Sequence, residues 1–216
     1  MLALMLAVAA FAQAPAPVAL DADEYHHLIT ENEVARVWLE EIPPHQATAL
    51  HHHEHDFLTI ALTDNRLQLT RQDGGESTLE SKAGEAAFLK GGFAHVVRND
   101  SDKIYRAISV EIMKPGGEPG TLPAPTAEDS TVKLEREGFH AVSVLLKPDA
   151  SLEARQSDNP MLLAPISAVE LSDKRADRLR HLSLPPGMVE WLPAGTPHKL
   201  KNNDSKPARF VLVSFQ

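Results

Sequence analysis

The sequence predicts an all-β chain that carries one small antiparallel barrel or sandwich twice. Three observations predict it. Short strand-like runs alternate with turn residues, and among 216 residues with 16 prolines no long amphipathic helical pattern occurs. The segment Gly84–Asn99 (GEAAFLKGGFAHVVRN) returns as Gly187–Asn202 (GMVEWLPAGTPHKLKN), with Gly84, Gly92, His95 and Asn99 matched by Gly187, Gly195, His198 and Asn202. Between the copies lies KPGGEPGTLPAPTAED, rich in Pro and Gly and without apolar periodicity, which reads as a linker over residues 114–130. A near-constant offset of this kind marks an internal duplication.

The elements follow in order. Met1–Ala12 is apolar and uncharged, with small residues around Ala10, Ala12 and Ala14, and reads as a secretory signal peptide cleaved after Ala12. It is too short to span a bilayer. The protein is therefore expected to be periplasmic or secreted, with Ala14–Asp23 as a flexible Pro/Ala-rich leader. The first barrel is expected over residues 24–113. Val34–Ile42 mixes β-branched, aromatic and charged residues with partial alternation and reads as a strand ended by Pro43-Pro44. Phe57–Leu62 is a continuous apolar run fit for a buried strand. Arg66–Thr70 alternates, bounded by turns at Thr63–Asn65 and Asp73–Gly75. Ser77–Glu80, Glu85–Leu89, Ala94–Arg98 and Tyr105–Met113 are further strands. The second barrel, expected over residues 131–216, opens with Lys133–Leu146 and stops at Pro148-Asp149, as the first copy's strand stops at Pro44-His45.

The chemistry concentrates in Leu50-His51-His52-His53-Glu54-His55-Asp56. Alternate side chains of a strand share a face, so His51, His53 and His55 are expected to converge. Three imidazoles on one side of a sheet make a metal site that lacks a ligand from elsewhere. The absence of cysteine restricts ligands to nitrogen and oxygen, and the net charge of -9 argues against a nucleic-acid partner. His26 and His27 read as exposed, His140 and His181 as packing or surface residues. His45 reads as a turn residue, with a smaller prospect of approaching the site.

The second-copy segment has the form G-x5-P-x-G-x2-H-x3-N (Gly187, Pro193, Gly195, His198, Asn202), which resembles the second motif of the cupin superfamily. The first copy matches with Lys90 in place of the proline. The first cupin motif is matched by His51 and His53, with His45 at its opening glycine, Phe57 at its glutamate and Asp64 at its closing glycine. The resemblance implies a bicupin of two tandem jelly-roll-like barrels. It supplies His95 as the missing ligand, and because Phe57 is apolar, His55 as the fourth, or Glu54 if the strand bulges. The expected site is His51, His53, His55 and His95 around one divalent transition metal: Fe, Mn, Ni, Cu or Zn. A small-molecule substrate follows, with dioxygenation, isomerisation or decarboxylation as the reaction class. The competing expectation is a non-enzymatic binding, sensor or structural cupin. A homodimer is compatible with either, and no membrane anchor remains after cleavage. Asn99 and Asn202 are expected to fix the turns that follow them. In the second copy an offset of 104 sets Arg155, Ser157 and Asn159 where the first has His51, His53 and His55. That barrel is expected to be metal-free, with His198 as a hydrogen-bonding turn residue and the barrels burying apolar sheet faces against each other.

Overall fold

The computed structural model describes residues 16–113, 133–136, 138–154, 159–175, 178–195 and 197–215. The expected signal peptide and linker lie outside these. The first half contains β1 (His26–Glu31), β2 (Ala35–Ile42), β3 (His51–His53), β4 (Phe57–Ala61), β5 (Asn65–Arg71), β6 (Glu76–Ser81), β7 (Ala86–Leu89), β8 (Phe93–Asn99) and β9 (Tyr105–Ile112). The second contains β10 (Lys133–Arg136), β11 (Phe139–Leu146), β12 (Ser151–Ala154), β13 (Met161–Pro165), β14 (Val169–Arg175), β15 (Arg178–Leu184), β16 (Glu190–Leu192), β17 (His198–Asn202) and β18 (Ala208–Phe215).

The duplication is complete at the level of topology. The first half forms a sheet β1-β2-β9-β4-β7 facing a sheet β3-β8-β5-β6. The second forms β10-β11-β18-β13-β16 and β12-β17-β14-β15, the same orders with nine added to each label. Backbone details repeat as well. His45 and Asp149 both hold φ of 60° at matched turns, so His45 does take the conformation of the glycine it stands for. Asn99 donates to the carbonyls of Ile42 and Lys103, and Asn202 to those of Leu146 and Lys206. Both asparagines also accept a backbone N–H two residues on, which closes the turn as the sequence predicts.

Alternation splits each larger sheet into an inner and an outer face. On β9, Ile108 and Val110 face outward with Leu58 and Ile60 of β4. They bury against Phe139, Leu162, Val211 and Val213 of the second barrel in one apolar core. Each such side chain contributes on the order of 1.5–3 kcal/mol by leaving water. The expected burial of one barrel's sheet face against the other's is therefore present. The contact has a local two-fold character. Arg209 donates to the Ala83 carbonyl at 3.1 Å. Its Nη2 lies 3.0 Å from where a side chain at Gly84 would begin, and Arg106 Nη2 lies 2.8 Å from that point at Gly187.

The barrel interiors differ. The second is filled by aliphatic and aromatic side chains, among them Val144, Leu163, Phe210 and Leu212. At the matching strand positions the first barrel carries Glu40, Thr59, Ala107 and Ser109, and it carries Glu111 where the second has Ser214. The first barrel thus buries more polar groups on this sheet than the second.

Three expectations need correction. Residues 16–23 are not a loose leader. Val18 N–H donates to the Leu50 carbonyl and the Val18 carbonyl accepts from His52 N–H, while Leu20 and Asp23 are buried. Lys133–Leu146 is not one strand but the hairpin β10–β11, turned at Gly138 with φ of 93°. The His stretch does not run as a single strand to residue 55. β3 ends at His53, and the chain crosses through Glu54–Asp56 to the opposite sheet, where β4 begins. Gly91 makes this crossing possible, since a side chain there would start 2.3 Å from the His55 carbonyl carbon.

Candidate metal centre

β3 is three residues long, and its ends point inward: His51 and His53 are 0% and 1% exposed. β8 lies beside it with His51 directly opposite His95 and His53 opposite Phe93. The ring centroids are 4.4 Å apart for His51 and His95, and 5.3 Å for His53 and His95. β1 adds a fourth imidazole. It pairs with β2 so that His26 faces Glu40, and the His26 ring comes 4.7 Å from that of His51. Ring nitrogens of His26, His51 and His53 lie within 4.8 Å of one another and could hold a metal ion. With Glu40, His95, Phe57 and Tyr105 they line a cavity of about 30 Å³, roughly the room of one water molecule.

Of the residues expected to meet here, the structure brings together His51, His53 and His95. His55 sits half-buried in the crossing, because the strand ends before it, and Glu54 is exposed beside a groove. His45 pairs with Asp102 at the surface, away from the cluster. His26, expected to be exposed, is buried, whereas its neighbour His27 is exposed.

The fit to a metal rests on polar atoms that have no partner. His51 Nδ1 donates to the Ala49 carbonyl at 3.1 Å, which leaves Nε2 as a buried lone pair. His53 Nδ1 and His95 Nδ1 are likewise buried without a hydrogen bond. Unpaired buried nitrogens of this kind are costly unless something binds them. His26 is oriented differently. Its Nδ1 lies 3.1 Å from Asp23 Oδ1, and that carboxylate also accepts from the backbone N–H groups of Tyr25 and Ala49. A carboxylate fixing one nitrogen of a histidine is the usual support of a metal-ligating imidazole.

Charge in the metal-free site is divided. Burial opposes protonation of His26, but Asp23 and Glu40 outweigh it and raise its pKa to about 9. Burial and the neighbouring imidazoles His26 and His53 lower His51 to about 4. Burial, His51 and His53 lower His95 to about 2. His51 and His95 are thus neutral and competent to ligate at physiological pH. Burial would raise the acids, yet bonds to His26 hold Asp23 and Glu40 below their ordinary values, and bonds to His53 and Trp38 do so for Glu111. The imidazoles therefore share the site with buried carboxylates.

Outside the cluster a groove of about 580 Å³ is walled by Val18, Leu20, Leu28, Trp38, Arg36 and His52. Glu111 forms part of its floor and also reaches the cluster, with Oε1 3.5 Å from His53 Nδ1.

No family model matches the sequence, and no curated protein does. The fold does have neighbours among solved structures. AerE from Microcystis aeruginosa superposes with a TM-score of 0.65 at 12% identity, over 88% of this chain and 97% of that one. A cupin 2 conserved barrel domain protein from Leptotrichia buccalis gives 0.57 at 10% identity, over 88% of each chain. This chain has a cupin-like β fold. Salicylate 1,2-dioxygenase from Pseudaminobacter salicylatoxidans shares it, with a TM-score of 0.60 at 10% identity over 84% of this chain and 71% of that enzyme.

Among the described residues, the second barrel has no such cluster. Register sets Ala154 opposite His198, where the first barrel has His51 opposite His95. The matching offset is therefore 103, and the expected equivalence of Arg155 with His51 is off by one. Arg155 and Ser157 lie outside the described residues. Asn159 is half-buried, 3.5 Å from the Phe215 carbonyl. His198 is a strand residue rather than a turn residue, and it is hydrogen-bonded at both nitrogens: Nδ1 to Asp173 at 3.0 Å and Nε2 to the Pro193 carbonyl at 2.9 Å.

His26, Asp23, Glu40 and Glu111 complete the site and were not singled out from the sequence. A signal existed for two of them. Glu40 lies between Trp38 and Ile42 on one strand face, and Glu111 continues the face of Tyr105, Ala107 and Ser109. An acid on an otherwise inward face points to the interior.

Proposed function

We propose that the first barrel binds one divalent transition metal on the imidazoles of His51, His53 and His95 with His26, oriented by Asp23, and that the protein acts on a small molecule admitted through the adjoining groove. The observation that carries this is the set of three buried imidazole nitrogens without partners around one small cavity. Nitrogen-rich sites suit Fe, Mn, Ni, Cu or Zn over Ca or Mg. A metal bound here would supply Lewis-acid polarisation of a substrate carbonyl or enolate, or activation of dioxygen. The chain's own residues do the rest. Asp23 fixes the His26 ring, Trp38 and Leu28 offer apolar surface to a ligand, and the packed second barrel backs the sheet that carries Glu40 and Glu111. Because salicylate 1,2-dioxygenase has the same fold, oxidation of an aromatic ring is the first reaction class to assay, ahead of isomerisation and decarboxylation.

Elemental analysis of protein purified without a histidine tag should find about one transition-metal ion per chain. A ligand that binds only the native state stabilises it by mass action, so a chelator should lower the melting temperature at neutral pH. Protein without metal, and indifferent to both chelator and added metal, would sink the reading.

We also infer export. Cleavage after Ala12 would leave Val18 and Asp23 in the mature chain, where they hold the His51–His52 backbone and His26. The N-terminus of the native protein should be Gln13, and an intact Met1 would count against export.

A further inference from the structure

We propose that Glu111 is the carboxylate ligand of this metal centre, and that it places the ion at the boundary between the buried cluster and the groove. The inference rests on the metal-binding reading above and assigns a residue to it. Glu111 is 1% exposed and lies on the inner face of β9. Its two oxygens have different surroundings. Oε2 accepts from the Trp38 indole N–H at 3.2 Å and lies 3.6 Å from Arg36 Nη1, which fixes the carboxylate plane. Oε1 faces His53 Nδ1 at 3.5 Å, too far for a good hydrogen bond. That separation matches two ligands on one ion, since bonds of about 2.0–2.2 Å put neighbouring donor atoms roughly 3.0–3.6 Å apart.

Two further observations point the same way. Phe57, the cross-strand partner of Glu111 in the β4–β9 ladder, stacks on the His53 ring at 3.8 Å and blocks that side of the imidazole. His53 is thereby held in a fixed ring plane, with Nδ1 3.5 Å from Glu111 Oε1. In the second barrel the position of Glu111 is Ser214, and among the described residues no imidazole cluster accompanies it. The consequence is access. An ion held only by His26, His51 and His95 would be confined to the enclosed cavity. An ion that also reaches Glu111 meets the groove, because Glu111 is part of its floor.

The test is Glu111→Gln, which keeps the side-chain volume and an acceptor for Trp38. Metal-stripped wild type and variant are titrated with Cu(II), and the electron paramagnetic resonance spectrum is recorded. Wild type should bind one equivalent, and the variant should bind roughly ten-fold or more weakly, with a spectrum shifted toward nitrogen-only coordination. If wild type binds and the variant matches it in affinity and spectrum, the proposal fails while the metal reading stands. Weaker binding with an unchanged spectrum makes Glu111 a positioning residue and also overturns the proposal. A wild type that binds nothing overturns both. Should the variant not fold, the infrared difference spectrum of wild type on metal addition decides. A shifted carboxylate stretch supports the assignment, and an unmoved one overturns it.

Discussion

His198→Ala is expected to destabilise the protein by roughly 3–5 kcal/mol and to leave its metal content unchanged. His198 and Asp173 both have side chains that are 0% exposed, and their contact is 3.0 Å. Removing the imidazole takes a hydrogen-bond partner from a buried carboxylate, leaving it Arg175 Nε at 3.3 Å, and it also leaves the Pro193 carbonyl without its donor. His95→Ala should behave in the opposite way. It removes an imidazole that already has one unpaired nitrogen, so it should cost less stability and lose most of the metal. The two residues are matched members of one duplicated motif, so the comparison isolates what each barrel does with it. Urea denaturation of both variants, with metal per chain measured at a temperature where both are folded, provides the check. Equal metal loss in the two variants would sink the division of labour between the barrels.

The second large effect is the pH profile of the metal-free protein, which should be most stable near pH 6.5 to 7 and weaken on both sides. His26 is raised to about 9 by Asp23 and Glu40 against its burial. Its contribution is fully present below the unfolded value of about 6.5 and is lost as pH rises through 9. His51 and His95 are lowered to about 4 and about 2, chiefly by burial. They contribute nothing above about pH 6.5. Below it the unfolded chain takes up two protons that the native chain refuses, so stability falls by up to about 2.7 kcal/mol per pH unit. Asp23 and Glu40, lowered by their bonds to His26, add a further loss at more acid pH, as pH falls through their depressed values. Metal should raise the neutral part of the curve and not the acid limb, because protons compete for the same imidazoles. Melting temperatures of the stripped protein that stay level from pH 5 to 9 would contradict this electrostatic picture.

Much of this was legible in the sequence because duplication and strand alternation are written locally. The matched Gly, His and Asn positions announced two barrels, and the resemblance of the two motifs to cupins supplied His95 as the distant ligand, which the structure sets opposite His51. What was not legible depends on where the chain changes sheets. Period-two reasoning carries His55 onto the face of His51 and His53 only if the strand continues. It stops at His53, because Glu54–Asp56 must cross to the opposite layer against Gly91. The fourth imidazole instead comes from β1, whose inward face is set by its pairing with β2, a partner that no local pattern names. Glu40 and Glu111 were hidden for a related reason. Acids in strands are ordinarily solvated, and only the cluster they face makes their burial tolerable.

The reciprocal placement of Arg106 against Gly187 and of Arg209 against Gly84 is the geometry of two equal subunits meeting about an axis, here joined in one polypeptide. In an assembly of separate identical chains, any substitution would appear on both sides at once, and a barrel could not be filled with leucine without filling its partner too. Fusion removes that constraint. The neighbour is always present whatever the protein concentration, so folding is freed from dilution, and each half can diverge alone. Ala154, Val144 and Leu212 stand where His51, Glu40 and Ser109 stand in the other half. One copy has kept a buried cluster of imidazoles and carboxylates, and the other has filled the same space with apolar side chains.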